Sequence, residues 1–147
     1  MTTINQLLVS KGSDIYFVSP TQSVYEAIAV MAERDIGSLL VMEGDMLVGI
    51  FTERQYTRNV ILKGRTSPQT RVHDIMEPNV VVIEPDDTVE WCMALMTKNR
   101  VRHLPVLDDG RVVGIVSIGD LVKAIIDDKR FIIDQLETYI HGERVKH

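Results

Sequence analysis

The stretch GIVSIGD, Gly114 to Asp120, has a counterpart 65 positions earlier: GIFTERQ, Gly49 to Gln55. Both open Gly-Ile and both carry a hydroxyl residue in the fourth place. The later copy ends in Asp120, the earlier in Gln55. The pair belongs to a longer repeat. Residues 18–61 align with 83–126 without a gap, and ten of the forty-four positions are identical: Pro20/Pro85, Val24/Val89, Ala29/Ala94, Met31/Met96, Leu39/Leu104, Val41/Val106, Val48/Val113, Gly49/Gly114, Ile50/Ile115 and Ile61/Ile126. An internal repeat of this length decides the fold class.

Each copy has the same pattern. A β-rich run comes first, 15–18 and 80–83. A proline ends it and a helix follows. In the first copy Ser23 and Glu26 form a capping-box signature. Val24, Ala27, Ile28 and Met31 then recur at helical spacing, as do Val89, Cys92, Met93 and Met96 in the second copy. Two apolar runs around Glu-Gly-Asp or Asp-Asp-Gly predict a hairpin. A second helix follows, from Arg54 or Gly119 onward. The fold class is therefore α+β (mixed α/β), with two β-α-β-β-α repeats packed pseudo-symmetrically through their sheets. One such unit of about 50 residues buries too little surface to be secure alone. The expected organisation is repeat 1 over 1–64 with its core at 15–61, a linker and lead-in over 65–79, repeat 2 over 80–127, and a helical tail over 128–147. VHDIM (72–76) is expected to lead into the second copy as INQLLVS (4–10) leads into the first. In the tail Ile132, Leu136, Tyr139 and Ile140 form a stripe, and Gly142 is a stop signal.

The totals narrow the function. The chain has 147 residues, 45% hydrophobic and 25% charged, with a net charge of −5. The acidic balance argues against a nucleic-acid partner. No apolar run reaches the roughly 18 residues of a membrane span, and the first residues do not have the pattern of a signal peptide. A single cysteine, Cys92, fits a reducing compartment, so the cytoplasm is the expected location. Cys92 lies on an apolar stripe and is expected to be buried and inert. The four histidines fall into no zinc-ligand spacing, so no metal is expected. There is no P-loop, paired catalytic carboxylate or activated nucleophile, so an enzyme is not expected. Asp86, Asp87, Asp108 and Asp109 fall in turns, where acids are common.

The segment NRVRHLPVLDDGRVVGIVSIGDLVK (99–123), the linker phrase VILKGRTS (60–67) and the paired units resemble a tandem cystathionine-β-synthase (CBS) domain pair, or Bateman module, of the stand-alone bacterial type. The resemblance covers nearly the whole chain. It implies an adenine nucleotide ligand (AMP, ATP or NAD(H)) in clefts between the repeats, a disc-like homodimer and an unidentified protein target. It carries the nucleotide-binding role to Ser117, Ile118, Gly119 and Asp120, with Asp120 on the ribose and Ser117 on ribose or phosphate. Arg102 becomes the main phosphate cation and His103 a secondary donor. In the first copy the matching residues are Thr52, Arg54, Gln55 and Arg58, with Gly37 and Ser38 in the places of Arg102 and His103.

The physical chemistry is compatible with these roles. A helix N-terminus favours an anion, and Arg meets phosphate with a two-pronged fork. A carboxylate can accept from both vicinal ribose hydroxyls. From spacing alone, however, Ser117/Asp120 and Thr52/Gln55 read as helix caps. Because Gln55 is neutral and has one acceptor atom, the first cleft is expected to be weaker, differently selective or empty. Lys63, Arg65, Thr66 and Ser67 read as a solvated loop or a phosphate clamp. Trp91, Met31, Met93 and Met96 read as core or dimer packing, and Tyr16, Val81 and Val82 as strand packing or an adenine border. The competing reading of the whole chain is a structural dimerisation module with vestigial clefts.

Overall fold

A computed structural model describes residues 2–141, with the side chains of 131, 132 and 138–141 excepted; Gly142 and the tail stripe at 132, 139 and 140 lie outside what is described. Helix α1 (Ile4–Lys11) opens the chain. The first repeat is strand β1 (Phe17–Val18), helix α2 (Val24–Arg34), strands β2 (Ser38–Glu43) and β3 (Met46–Thr52), and helix α3 (Glu53–Tyr56), which widens into a π turn over Thr57–Ile61. The linker holds a 3-10 turn, Ser67–Gln69, and helix α4 (Val72–Ile75). The second repeat is helix α5 (Val89–Asn99), strands β4 (His103–Asp108) and β5 (Arg111–Ser117), and helix α6 (Ile118–His141). No helix among the described residues is long and apolar enough to cross a membrane.

The hairpins keep the repeat's register. Ser38 stands opposite Thr52 and His103 opposite Ser117, and each hairpin has one irregularity, after Val41 and after Val106. Asp109 and Gly110 both have positive φ, as a tight two-residue turn requires. Ser23 caps α2 by accepting from the Glu26 N–H, and Thr88 caps α5 the same way from Trp91. The expected capping box at Ser23 is only half formed, because the Glu26 carboxylate takes the Ser23 hydroxyl instead of its N–H. Asp35 and Arg100 end α2 and α5 in the left-handed conformation at matching positions.

Several expectations need correction. The run 80–83 is not a strand; only Ile83 bridges, to Val106. Its place in the repeat is kept by a parallel pair of bonds, Ile83 N–H to Pro105 O and Leu107 N–H to Ile83 O. The second repeat's last helix runs without a break into the described part of the tail, as far as His141. Of the residues read as core or dimer packing, Met31 and Met96 are buried, Met93 is half-buried and Trp91 is exposed, which removes the core role for Trp91 alone; Cys92 is buried.

The lead-in helices cross over. Ile4, Leu7 and Leu8 of α1 lie in one core with Ile83, Val89, Cys92, Met96, Leu104, Val106, Val116 and Leu121 of the second repeat. Val72 and Ile75 of α4 lie in the other core with Val18, Val24, Ala27, Met31, Leu39, Val41, Phe51 and Val60 of the first. The same hydrogen bonds anchor both. Ile4 and Asn5 donate to Asp87 and Pro85, and Val72 and His73 donate to Gln22 and Pro20. The repeats match at an offset of 65 and the lead-ins at 68, so the register of the internal symmetry shifts by three residues between each lead-in and the repeat that follows it. Each lead-in docks on the repeat other than the one that directly follows it.

The two shared glycines have a steric reason. A Cβ on Gly114 would stand 2.8 Å from a Leu8 methyl, and one on Gly49 would stand 2.6 Å from the Met76 sulfur and 3.1 Å from the Glu77 carbonyl. Leu8 and Met76 are themselves a pair at the 68 offset, so each hairpin presents its glycine to the lead-in that crosses it.

Candidate functional site

Between the repeats lies a cleft of about 1080 Å³. Repeat 1 contributes Gly37, Ile50, Thr52, Glu53, Arg54, Gln55, Arg58 and Asn59. Its other wall is Asn99, Arg100, Val101, Arg102 and His103, with Glu77, Asn79 and Val81 at the side. Seven of the sequence-derived site residues meet here: Gly37, Thr52, Arg54, Gln55, Arg58, Arg102 and His103. Ser38 is buried in β2 opposite Thr52 and does not line the cleft, nor do Ser117, Ile118, Gly119 and Asp120. Lys63, Arg65, Thr66 and Ser67 are also outside it.

Arg102 and His103 thus face the helix start of the opposite repeat. The absence of an arginine at position 37 leaves no cationic gap, because Arg102 arrives from across the cleft. Arg54, Arg58, Arg100 and Arg102 are set against Glu53 and Glu77, so the lining is net positive in a protein of net charge −5. Arg54 spans the cleft to the Arg100 carbonyl at 3.2 Å. The backbone fixes both walls alike: Glu53 N–H donates to Gly37 O at 3.2 Å and Ile118 N–H donates to Arg102 O at 2.9 Å.

The capping reading is observed at both motifs. Thr52 and Gln55 form a capping box in which the Gln55 amide oxygen takes the Thr52 N–H at 2.8 Å and the Thr52 hydroxyl as well. With that oxygen committed, Gln55 has only its NH₂ group to offer a ligand, as a donor. At the second motif Asp120 Oδ2 accepts the Ser117 N–H at 2.8 Å, and the Ser117 hydroxyl accepts the Asp120 N–H at 3.2 Å.

Asp120 has a further partner that no local pattern announces. Lys11, at the end of α1, donates to Asp120 Oδ2 at 2.8 Å and to the Ile115 carbonyl at 2.8 Å. Burial pushes the Asp120 carboxyl up, but the Lys11 ammonium and the Ser117 donors outweigh it and hold the group below its ordinary value. His103 is shifted down, chiefly by burial; the nearby Asp120 and Glu53 carboxylates pull the other way without overcoming it. It is therefore a neutral donor near pH 7, not a cation. Cys92 is pushed up to about 12 by burial and is inert as a nucleophile.

Sequence reasoning missed Lys11, Arg100, Asn79 and Glu53. Arg100 had a signal, since it stands two residues before Arg102 in the same basic run. Lys11 had none, because it lies 109 residues from Asp120.

The CBS domain model matches twice, over residues 8–61 and 72–127. The chain belongs to the CBS-domain family. Among relatives of this CBS-domain protein, the mitochondrial CBS domain-containing protein CBSX3 of Arabidopsis thaliana is 39% identical over 96% of this chain and 73% of its own length. A solved CBS-domain protein of Burkholderia ambifaria is 52% identical, covers 86% of this chain and 96% of its own, and superposes with a TM-score of 0.84. The CBS-domain containing protein ATU1752 of Agrobacterium tumefaciens is 40% identical over 84% of this chain and 98% of its own, with a TM-score of 0.80. The pairing of two CBS repeats in a mixed helix-and-strand fold is thereby established.

Proposed function

We propose that this CBS pair is a regulatory sensor that binds an adenine nucleotide, AMP, ATP or NAD(H), between its repeats and signals to a protein partner without catalysing a reaction. The observation that carries the reading is the arginine-lined cleft, in which Arg54, Arg58, Arg100 and Arg102 converge from both repeats. Charge-assisted forks of this kind recognise phosphate. The free NH₂ of Gln55 and the neutral His103 add donors, so this cleft is built for the phosphate end of a ligand. The apolar Ile50, Val81 and Val101 offer a surface to a base. CBS pairs bind adenosine-type ligands and serve regulatory roles. A CBS pair solved with 5′-methylthioadenosine and S-adenosyl-L-methionine, the protein MJ0100, shares this fold at 24% identity.

The reading includes a homodimer in the cytoplasm. Helix α6 exposes Ile118, Val122, Ile126, Ile133 and Leu136, and the first repeat exposes Ile61, which matches Ile126, together with Leu62. On one helix these positions fall within one narrow face. A contiguous apolar stripe marks an interaction surface.

Calorimetry and thermal melts against AMP, ADP, ATP, NAD⁺ and NADH test the nucleotide. Ligand at a hundredfold excess over its dissociation constant stabilises the folded state by about 2.7 kcal/mol. A selective shift that Arg102→Ala weakens supports the sensor. No shift with any of them leaves the alternative, a dimerisation module whose clefts have lost their ligand; turnover of a nucleotide overturns both.

A further inference from the structure

We propose that Lys11 is an internal competitor for Asp120, so that ligand fills the arginine-lined cleft before any ligand engages Asp120. The inference rests on the nucleotide reading above. A carboxylate grips a ribose most fully when each oxygen accepts one of the vicinal hydroxyls. Asp120 does not present both. Its Oδ2 already accepts the Lys11 ammonium and the Ser117 N–H, both at 2.8 Å. With two donors on Oδ2, that oxygen has no lone pair left for a ribose hydroxyl. An adenosine ligand therefore gains the second hydroxyl contact only when Lys11 withdraws.

The two lead-ins show how this competitor arises. In the first repeat the chain leaves α4 and bridges to β3, so that the Glu77 N–H satisfies the Ile50 carbonyl at 2.9 Å. In the second repeat α1 remains helical to Lys11, no such bridge forms, and the Lys11 ammonium satisfies the Ile115 carbonyl instead. Ile50 and Ile115 are the same position of the repeat. The lysine thus replaces a backbone donor, and its long stem brings a charge onto the acid. At the 68 offset its counterpart is Asn79, which lines the open cleft and neutralises nothing. The arginine-lined cleft stays open and fills first, and the Asp120 site fills second, with release of Lys11. Because α1 is also tied to α6 through Thr2 and Asp128, whose hydroxyl and carboxylate meet at 2.6 Å, release would be felt at the exposed stripe.

Two measurements test this. In calorimetry with AMP and ATP, Lys11→Met keeps the apolar stem and removes the charge; the weaker of the two binding steps should tighten about two- to fivefold, the weight of a partly exposed ion pair. The gain should vanish in an Asp120→Asn background. An unchanged or weakened second step means that Lys11 does not compete, and weakening makes it a ligand contact. The second measurement needs no nucleotide. Acylation of lysines, read by mass spectrometry, should label Lys11 slowly in the parent protein and faster in Asp120→Asn, with Lys123 as the internal standard. Equal Lys11 labelling in both overturns the contact itself. Faster labelling in Asp120→Asn without nucleotide binding in any variant keeps the contact and overturns the nucleotide reading, and with it the order of filling.

Discussion

Thr52–Gln55 and Ser117–Asp120 are the same local device in opposite surroundings. Each ends a β-strand, caps a helix and closes a reciprocal pair of hydrogen bonds. The first opens onto a cleft with four arginines and a spare amide. The second meets a lysine from the far end of the chain. The difference is not in the motif, whose geometry is conserved between the copies, but in what the crossing lead-in brings. A helix cap is satisfied locally, whereas its availability to a ligand depends on neighbours that the motif does not encode.

The comparison breaks first in the cores. Phe51 and Val116 occupy the same position, both fully buried. Phe51→Ala should cost about 3–5 kcal/mol in urea unfolding, and Val116→Ala clearly less. Equal costs would mean that the first repeat does not depend on its larger anchor.

The lead-in crossings come next. Gly49→Ala and Gly114→Ala each force a methyl group onto Met76 or Leu8, at an expected cost of about 1–3 kcal/mol. Gly49 is the more sensitive, since the Glu77 backbone carbonyl stands behind the flexible sulfur. Relief of the Gly114→Ala defect by Leu8→Ala, read by the same unfolding curves, would show that the crossing is the cause.

The ligand contacts are smaller. Removing the fork in Arg102→Ala should weaken phosphate-bearing nucleotides about tenfold, on the order of 1.5 kcal/mol for a charge-assisted bond, and should weaken adenosine little. Gln55→Asp should lower affinity for the phosphate end and create a ribose acceptor, which would change the stoichiometry or the ligand ranking in calorimetry. If neither changes, the contrast between the two motifs has no functional content.

The smallest effects are with pH. His103 has a depressed folded value, so its neutral form is the stable one, and its contribution is present above about pH 6.5 and lost as pH falls through the lower folded value. An anionic ligand reverses the preference. Binding should therefore take up a fraction of a proton between pH 6 and 7, seen as a buffer-dependent heat that His103→Gln removes. Asp120 is also depressed, so its stabilisation is present above about pH 3.8 and lost as pH falls through its folded value. With both partners partly exposed, the difference between the parent protein and Asp120→Asn should be under about 1 kcal/mol at pH 7, and it should shrink below pH 3.8.

Most of the scaffold was legible because it is local. The stripes of α2 and α5, the Ser23 cap, the hairpin turns and the repeat at 65 all follow from residues within one helix turn or one hairpin of each other. The missing strand at 80–83 was misread because three valines and an isoleucine have strand propensity, while pairing needs a partner edge that only Ile83 finds. Trp91 lies on α5 outside the Val89–Cys92–Met96 stripe and faces solvent, so of the two packing roles read for it, core and dimer, only the first is removed. At the site, the residue types were legible and their grouping was not. Arg102 and His103 were assigned to the motif of their own repeat, but they line the cleft of the other.

Two copies of a helix–hairpin–helix unit, the strand that opens the first of them, the caps that begin their helices, and the hydroxyl, acid and arginine residues near those caps are all written in the sequence. Each of these is dictated by contacts a few residues long, where spacing and direction are set by backbone geometry. The packing of α1 on the second repeat and α4 on the first, the approach of Arg102 to Gln55 across the cleft, and the meeting of Lys11 with Asp120 arise from the folded chain. A short amphipathic helix states in its pattern that it must bury one face. It does not state which of two nearly equivalent surfaces will cover it. That choice belongs to the connectivity of the whole chain and to the fit of Leu8 and Met76 over their glycines.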